Sequence, residues 1–322
     1  MKGMTVRRVA LSMVFAWLGL HAGAEDAAFD TPHMPYRAFD TLPATSIAVG
    51  GATILLAYAP GGAFALPKAE IAAWVEACGR TLATYYGRFP VDKYRLLVIP
   101  VPGLGVRGGT TWGYRGGATR LRLGLGAQAA ELANDWVLIH EMIHLAFPEV
   151  GDRHHWIEEG LATYVEAIAR VQAGSLDAAT AWRGLVRGMP EGNPRSGDAG
   201  LDNTHTWGRT YWGGALFCLV ADVRIRERTG NRMGLQDALR GILAAGGNIE
   251  HDWNIDRAFE AGDRATGTHV LQELYAQNRD TAVEVDLDAL WTRLGIAVQD
   301  GRVVFDDRAP QADIRRAITA PH

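Results

Sequence analysis

His140 and His144 stand four residues apart, with Glu141 directly after the first, in the stretch Trp136-Val-Leu-Ile-His-Glu-Met-Ile-His-Leu145. On an α-helix that spacing puts both imidazoles on one face, where they can share a tetrahedral metal ion. Glu141 then points to the adjacent edge, where a water activated by the ion would sit. The chemistry open to such a set is metal-assisted hydrolysis, with the carboxylate carrying the proton.

Two histidines leave a zinc site one protein ligand short, so the source of the third decides the class. A metzincin would have Gly three positions and His six positions after the second histidine; Phe147 and Val150 stand there, which excludes that class. The following segment, Trp156-Ile-Glu-Glu-Gly-Leu-Ala-Thr-Tyr-Val-Glu166, offers two adjacent carboxylates, and His154 and His155 precede it. Tryptophan, two residues, then Glu-Gly-x-Ala-x-Tyr-x-Glu resembles the third-ligand helix of the gluzincin metallopeptidases, which include aminopeptidase N, leukotriene hydrolase and the glycyl aminopeptidase family. Matched residue by residue, the resemblance implies Glu159 as the third ligand to Zn²⁺, with Glu158 as its rival. Fourteen residues between His144 and Glu159 allow one helix to end, the chain to turn and a second helix to lie beside the first. Glu166, two turns beyond Glu159, has two readings: a carboxylate that orients a ligand histidine, or an ordinary helix-surface group.

Hydrolysis also wants a donor for the oxyanion that develops at the carbonyl. Tyr211-Trp-Gly-Gly resembles the downstream gluzincin segment in which tyrosine, two residues, then Gly opens a helix, and this implies Tyr211 as that donor; Gly213 stands where those families often have lysine. A tyrosine packed at a helix start is the alternative. From Tyr211 to Leu239 the chain is most similar to the glycyl aminopeptidases, and the whole resemblance spans roughly residues 130–245. Two departures limit it. The large β-domain preceding the catalytic domain in those enzymes does not fit in this shorter chain. The aminopeptidase edge strand carries a Glu that binds the substrate's amine, whereas no acidic residue lies between Gly105 and Gly126. Gly109, Thr110 and Thr111, in Gly108-Gly-Thr-Thr-Trp-Gly113, are therefore read as a substrate-binding edge open to close backbone approach, or else as part of a twisted hairpin. Glu149 or Asp202 could supply an amine contact from elsewhere.

The elements that must position these residues follow from periodicity. Ser46–Ala59 reads as strand or hairpin, Pro67–Tyr86 as a helix, and Tyr94–Val101 as a central strand. Two strands with a Gly-Gly turn fit Gly105–Gly126. One helix from Gln128 to Phe147, stopped by Pro148, carries the histidines. A loop over Glu149–His155 leads to a helix over Trp156–Gln172. Met189–Asp202 is either an active-site rim or a disordered connection. Tyr211–Arg228, Leu235–Ala245 and Arg257–Gln277 have helical periodicity, and a short helix and hairpin close the chain. The expected class is α+β: a thermolysin-like zincin domain with an N-terminal mixed or antiparallel sheet and a mostly helical C-terminal part. Its divisions fall at residues 1–24, 25–43 (an exposed lead-in), 44–174 and 175–322.

Composition narrows the partners. A formal net charge of -4 and pI near 6.2, with both signs mixed along the chain, provide no footprint for nucleic acid or an anionic membrane. Lys2, Arg7 and Arg8 precede an apolar run from Val9 to Leu20 and the small residues Ala22-Gly-Ala24, the pattern of a cleaved export signal; the run is too short to span a bilayer. The protein is therefore expected in the periplasm or outside the cell, with no transmembrane anchor. Cys78 and Cys218 could pair in such a compartment or remain buried thiols. The function expected is an exported zinc-dependent peptidase acting on peptides or proteins. The alternatives are a catalytically inactive peptide-binding scaffold of the same fold and a zinc hydrolase of non-peptide substrates.

Overall fold

The computed structural model describes residues 29–321; the stretch over 1–24, read in the sequence as an export signal, lies outside the described residues. The first strands form a hairpin, β1 (Ala44–Val49) and β2 (Ala52–Tyr58), joined at Gly50 and Gly51, whose φ values of 55° and 85° suit glycine. A helix, α2 (Lys68–Tyr86), then crosses back to β3 (Lys93–Val101), which pairs parallel to β2. One short turn of helix, α1 (Ala38–Thr41), precedes the first hairpin. β4 (Val106–Trp112) and β5 (Ala118–Gly124) form the second hairpin, and β5 pairs parallel to β3. The strand order β1-β2-β3-β5-β4 makes a mixed five-stranded sheet with β4 at an edge. β3 is apolar along nearly its whole length because both of its faces are covered.

That demand for cover on two faces explains one difference from the sequence reading. The lead-in expected to be exposed contributes Met34 and Ala38, both buried, to a small cluster with Ala57, Leu97, Ile99, Trp112 and Ala118. Asp30 anchors the same segment through Arg122, 2.7 Å away. The opposite face of the sheet packs on α2 and the remaining helices in one large core that runs across the 174/175 division.

The histidine-bearing helix is also not one piece. α3 (Ala129–Asn134) ends at Asp135, whose backbone is extended, and α4 (Val137–Ile143) begins anew. The Asp135 carboxylate accepts the Leu138 N–H at 3.1 Å, so a short polar side chain caps a fresh helix where apolar periodicity alone ran on. α4 closes in a 3₁₀ turn over His144–Ala146, and Phe147 is extended, as a residue before proline prefers. After residues 149–154, α5 (His155–Gln172) supplies the second site helix.

Beyond it the chain is mostly helical, as expected: α6 (Ala178–Gly188), a π-helical turn over Gly208–Gly213 running into α7 (Gly214–Thr229), and α8 (Leu235–Ala244). The stretch read as one helix over Arg257–Gln277 is two, α9 (Ile255–Thr266) and α10 (Val270–Asn278). Gly267, at φ 65°, ends the first, and the Asp263 carboxylate accepts the N–H groups of Leu271 and Gln272 to start the second. α11 (Leu287–Leu294), the hairpin β6 (Ile296–Gln299) and β7 (Arg302–Phe305), and α12 (Ala312–Thr319) complete the fold. Cys78 and Cys218 are buried free thiols. Among the described residues no helix is long and apolar enough to cross a membrane.

Candidate active site

α4 and α5 bring His140, His144 and Glu159 to one point. His140 Nε2 lies 3.1 Å from Glu159 Oε2, and His144 Nε2 lies 3.8 Å from the same oxygen. One donor atom from each of the three lies within 4.8 Å of the others, the separation a single ion can bridge. Glu159 is completely buried, and both imidazoles nearly so. Burial pushes His144 down to about 4, which leaves a neutral imidazole with a free lone pair. Burial would lower His140 as well, but the hydrogen bond and charge of Glu159 outweigh it and raise that group. The Glu159 carboxyl, which burial alone would raise, is held well below the usual carboxylate range by hydrogen bonds and charges from the surrounding histidines. A buried carboxylate facing two imidazole nitrogens, one of them without a hydrogen-bond partner, is a donor set suited to Zn²⁺.

Glu158 points elsewhere. Its Oε1 accepts the Val150 N–H at 3.3 Å and its Oε2 lies 3.2 Å from His155 Nδ1. The other nitrogen of His155 is 3.3 Å from Glu159 Oε1. His155 thus sits between the adjacent glutamates and grips Glu159 on the side away from His140. Its two carboxylate partners overcome burial and push it up to about 10.

Glu141 is buried beside β4. The Thr111 hydroxyl is 2.7 Å from Glu141 Oε2 and 2.8 Å from the Thr119 hydroxyl. A Cβ on Gly109 would fall 2.5 Å from Glu141 Cγ, so only glycine leaves room for that side chain in this rotamer. Gly109 and Thr111, read in sequence as substrate contacts, therefore bear directly on Glu141; the Thr110 hydroxyl bonds its neighbour's carbonyl at 2.8 Å. The glycine-threonine run was visible in the sequence, but its partner 30 residues away was not.

The Tyr211 ring stacks on His140 at 6.4 Å, held in the π-helical turn. Two glycines bring that turn to α5. A Cβ on Gly160 would meet Gly214 Cα at 2.3 Å, and one on Gly214 would meet the Trp156 carbonyl at 2.0 Å, so the two helices touch backbone to backbone next to Glu159. Glu166 pairs with Arg170 at 2.7 Å rather than with a histidine. The buried His140 Nδ1 has no hydrogen-bond partner among the described residues, although the charge of Glu166 still bears on that ring.

The segment over Met189–Asp202 is pinned. Asp202 is buried and takes Trp156 Nε1, the Tyr275 hydroxyl and His154 Nδ1 at 2.8, 2.8 and 3.0 Å. With its oxygens so engaged, Asp202 is not available to a substrate amine. Glu149 is anchored through its backbone to His251 and Trp253.

No known protein-family profile matches the sequence, and no curated protein matches it. Among solved structures the chain is similar to an aminopeptidase N family protein from Idiomarina loihiensis, with a TM-score of 0.62 at 15% identity over 80% of this chain and 50% of that one. An M1 zinc metallopeptidase from Deinococcus radiodurans aligns at a TM-score of 0.47 and 18% identity, over 76% of this chain and 52% of its own. The chain spans about half the length of these structures. At such identity the first likeness establishes a shared fold: a mixed α/β arrangement with an N-terminal five-stranded sheet and a helical C-terminal part.

Proposed function

We propose that this chain is an exported zinc peptidase of the gluzincin type, on a thermolysin-like zincin scaffold most like the catalytic domain of the glycyl aminopeptidases. The observation that carries the reading is the convergence of three buried donor groups beside a fourth buried carboxylate, Glu141, that is fixed by Thr111. His140, His144 and Glu159 would hold Zn²⁺, which supplies Lewis-acid polarisation of the scissile carbonyl. Glu141 takes a proton from the attacking water as its oxygen bonds to the carbonyl carbon. When the C–N bond breaks, Glu141 returns that proton to the leaving nitrogen. Tyr211 donates its hydroxyl to the developing oxyanion. An extended substrate adds to the edge strand β4 through backbone hydrogen bonds, which are indifferent to sequence. The export segment at the N-terminus supports action outside the cytoplasm.

The absence of a carboxylate from Gly105 to Gly126, together with the engagement of Asp202, favours cleavage that does not require a free amino terminus. The test combines metal analysis of the purified chain with a panel of free and acetylated peptides offered to the wild type and to Glu141→Gln. About one zinc per chain, cleavage of acetylated peptides and a zinc-loaded but inactive Glu141→Gln protein are expected. Full turnover by that variant would sink the mechanism.

A further inference from the structure

Two aromatic groups of the site, His140 and Tyr211, are each preceded, four residues earlier, by a tryptophan that the fold leaves in solvent. Trp136 stands edge-on to His140 at 5.5 Å, and Trp207 stacks on Tyr211 at 6.1 Å. Because Tyr211 itself stacks on His140, the four rings form one row: Trp136, His140, Tyr211, Trp207. Its inner members belong to the site, and its ends are 45% and 57% exposed.

Such exposure needs a reason. The large apolar side chains Trp112, Trp156, Trp182, Trp253 and Trp291 are all buried, so the fold does not lack places to hide an indole. Trp136 caps the start of α4, one turn ahead of His140, on the face that carries His140 and His144, which is the face turned to the metal site. Trp207 opens the π-helical turn that holds Tyr211. Neither indole is among the residues of the large core. Exposed indoles on both sides of a hydrolytic centre present flat apolar surface at low conformational cost, the property that makes tryptophan an anchor in recognition. No carboxylate stands on β4 or β5 to draw a cationic side chain.

We propose that Trp136 and Trp207 are specificity-determining residues that select substrates with a bulky apolar or aromatic side chain next to the scissile bond. The inference rests on the peptidase reading and names its substrate class. An indole wall buries a Phe or Leu side chain but has almost nothing to gain from Ala, and one side chain's worth of apolar contact commonly discriminates by tenfold or more.

The experiment uses acetylated polyalanine peptides carrying a single Phe, Leu, Ala or Lys. The wild type is expected to cleave the Phe and Leu peptides with kcat/KM about tenfold above the Ala peptide. Trp136→Ala or Trp207→Ala should bring that ratio near one, and Trp→Phe at the same position should restore most of it. In parallel, the zinc-loaded Glu141→Gln chain should bind the uncleaved Phe peptide about tenfold more tightly than the Ala peptide, read from tryptophan fluorescence. The tryptophan substitutions should erase that difference. A preference unchanged in both Trp→Ala proteins, or equal binding of the Phe, Ala and Lys peptides, overturns the inference. If the wild type cleaves nothing while binding remains selective and tryptophan-dependent, the selectivity stands and only the peptidase reading fails.

Discussion

The Thr111 hydroxyl donates to Glu141 Oε2 at 2.7 Å, and so ties the edge strand of the sheet to the carboxylate between the two histidines. The same hydroxyl lies 3.1 Å from the Glu141 carbonyl, so strand and helix are joined at side chain and backbone together. Glu141 is completely buried, so the groups that hold it decide where its carboxylate stands. Thr111→Val keeps the shape and removes the donor. Turnover is expected to fall about 10- to 100-fold with zinc content unchanged, the loss typical of a supporting hydrogen bond. Zinc analysis beside steady-state kinetics checks this; a parallel loss of zinc would mean that Thr111 holds the helix rather than the base.

Much of this site was legible in the sequence because it rests on local spacing. His140, Glu141 and His144 lie within one short helix, and Glu159 was placed by the pattern around Gly160, whose physical reason is now visible in its contact with Gly214. What escaped were contacts between elements distant in sequence. Nothing in the Thr111 or His155 neighbourhoods announces a partner, because a hydroxyl or an imidazole has the same letter whatever it touches. The helix breaks at Asp135 and Gly267 were missed for a different reason. Apolar periodicity continues through both, and capping by Asp135 and Asp263 decides the boundary. The lead-in was read as exposed because cover for the second face of β3 is a property of the whole sheet.

The adjacent glutamates make a clean comparison. Glu159 faces both histidines, whereas Glu158 bonds Val150 N–H and His155. Glu159→Gln should weaken zinc binding more than about 100-fold, since it removes a proposed ligand, and Glu158→Gln less than about 10-fold, since it reaches the metal site only through His155. Competition with a chelator of known affinity measures both. The reverse order would shift the ligand by one residue.

Tyr211 can be tested without disturbing the ring row, since phenylalanine stacks on His140 as tyrosine does. Tyr211→Phe is expected to lower kcat by roughly 10²- to 10³-fold with zinc retained. An unchanged kcat would return the residue to a packing role.

Glu149 makes stability depend on pH. Burial, and then the charges of Glu158 and Asp252, push its carboxyl from 4.5 up to about 8. The folded chain binds this proton more tightly than the unfolded chain, so the stabilisation is complete below about 4.5 and is lost as pH rises toward 8. Glu149→Gln keeps the neutral form throughout. Its Tm should match the wild type at pH 5 and exceed it at pH 8.5, in thermal unfolding of zinc-saturated protein. A difference independent of pH would show that the carboxyl is ordinary in the folded chain.

Gly109 carries the steric demand that bears on Glu141. Its backbone is not in the left-handed region, so alanine is conformationally allowed there, yet a Cβ would lie 2.5 Å from Glu141 Cγ and 2.9 Å from Oε1. The nearer atom is in the middle of the side chain, so rotating the carboxylate alone does not relieve the overlap. Either Glu141 leaves its rotamer and its bond to Thr111, or β4 moves off α4. Gly109→Ala should therefore cost about 1–3 kcal/mol of stability, the usual penalty for overpacking. Turnover should fall about 100-fold, because a displacement near 1 Å suffices for that at a reacting centre. Gly184, in α6 with nothing near its Cβ position, is the control: Gly184→Ala should gain about 0.5–1 kcal/mol and leave kcat alone. Denaturant unfolding and initial rates on one acetylated peptide measure both variants. Full activity in Gly109→Ala would mean that the proton carrier works from a position other than the one Glu141 occupies against β4.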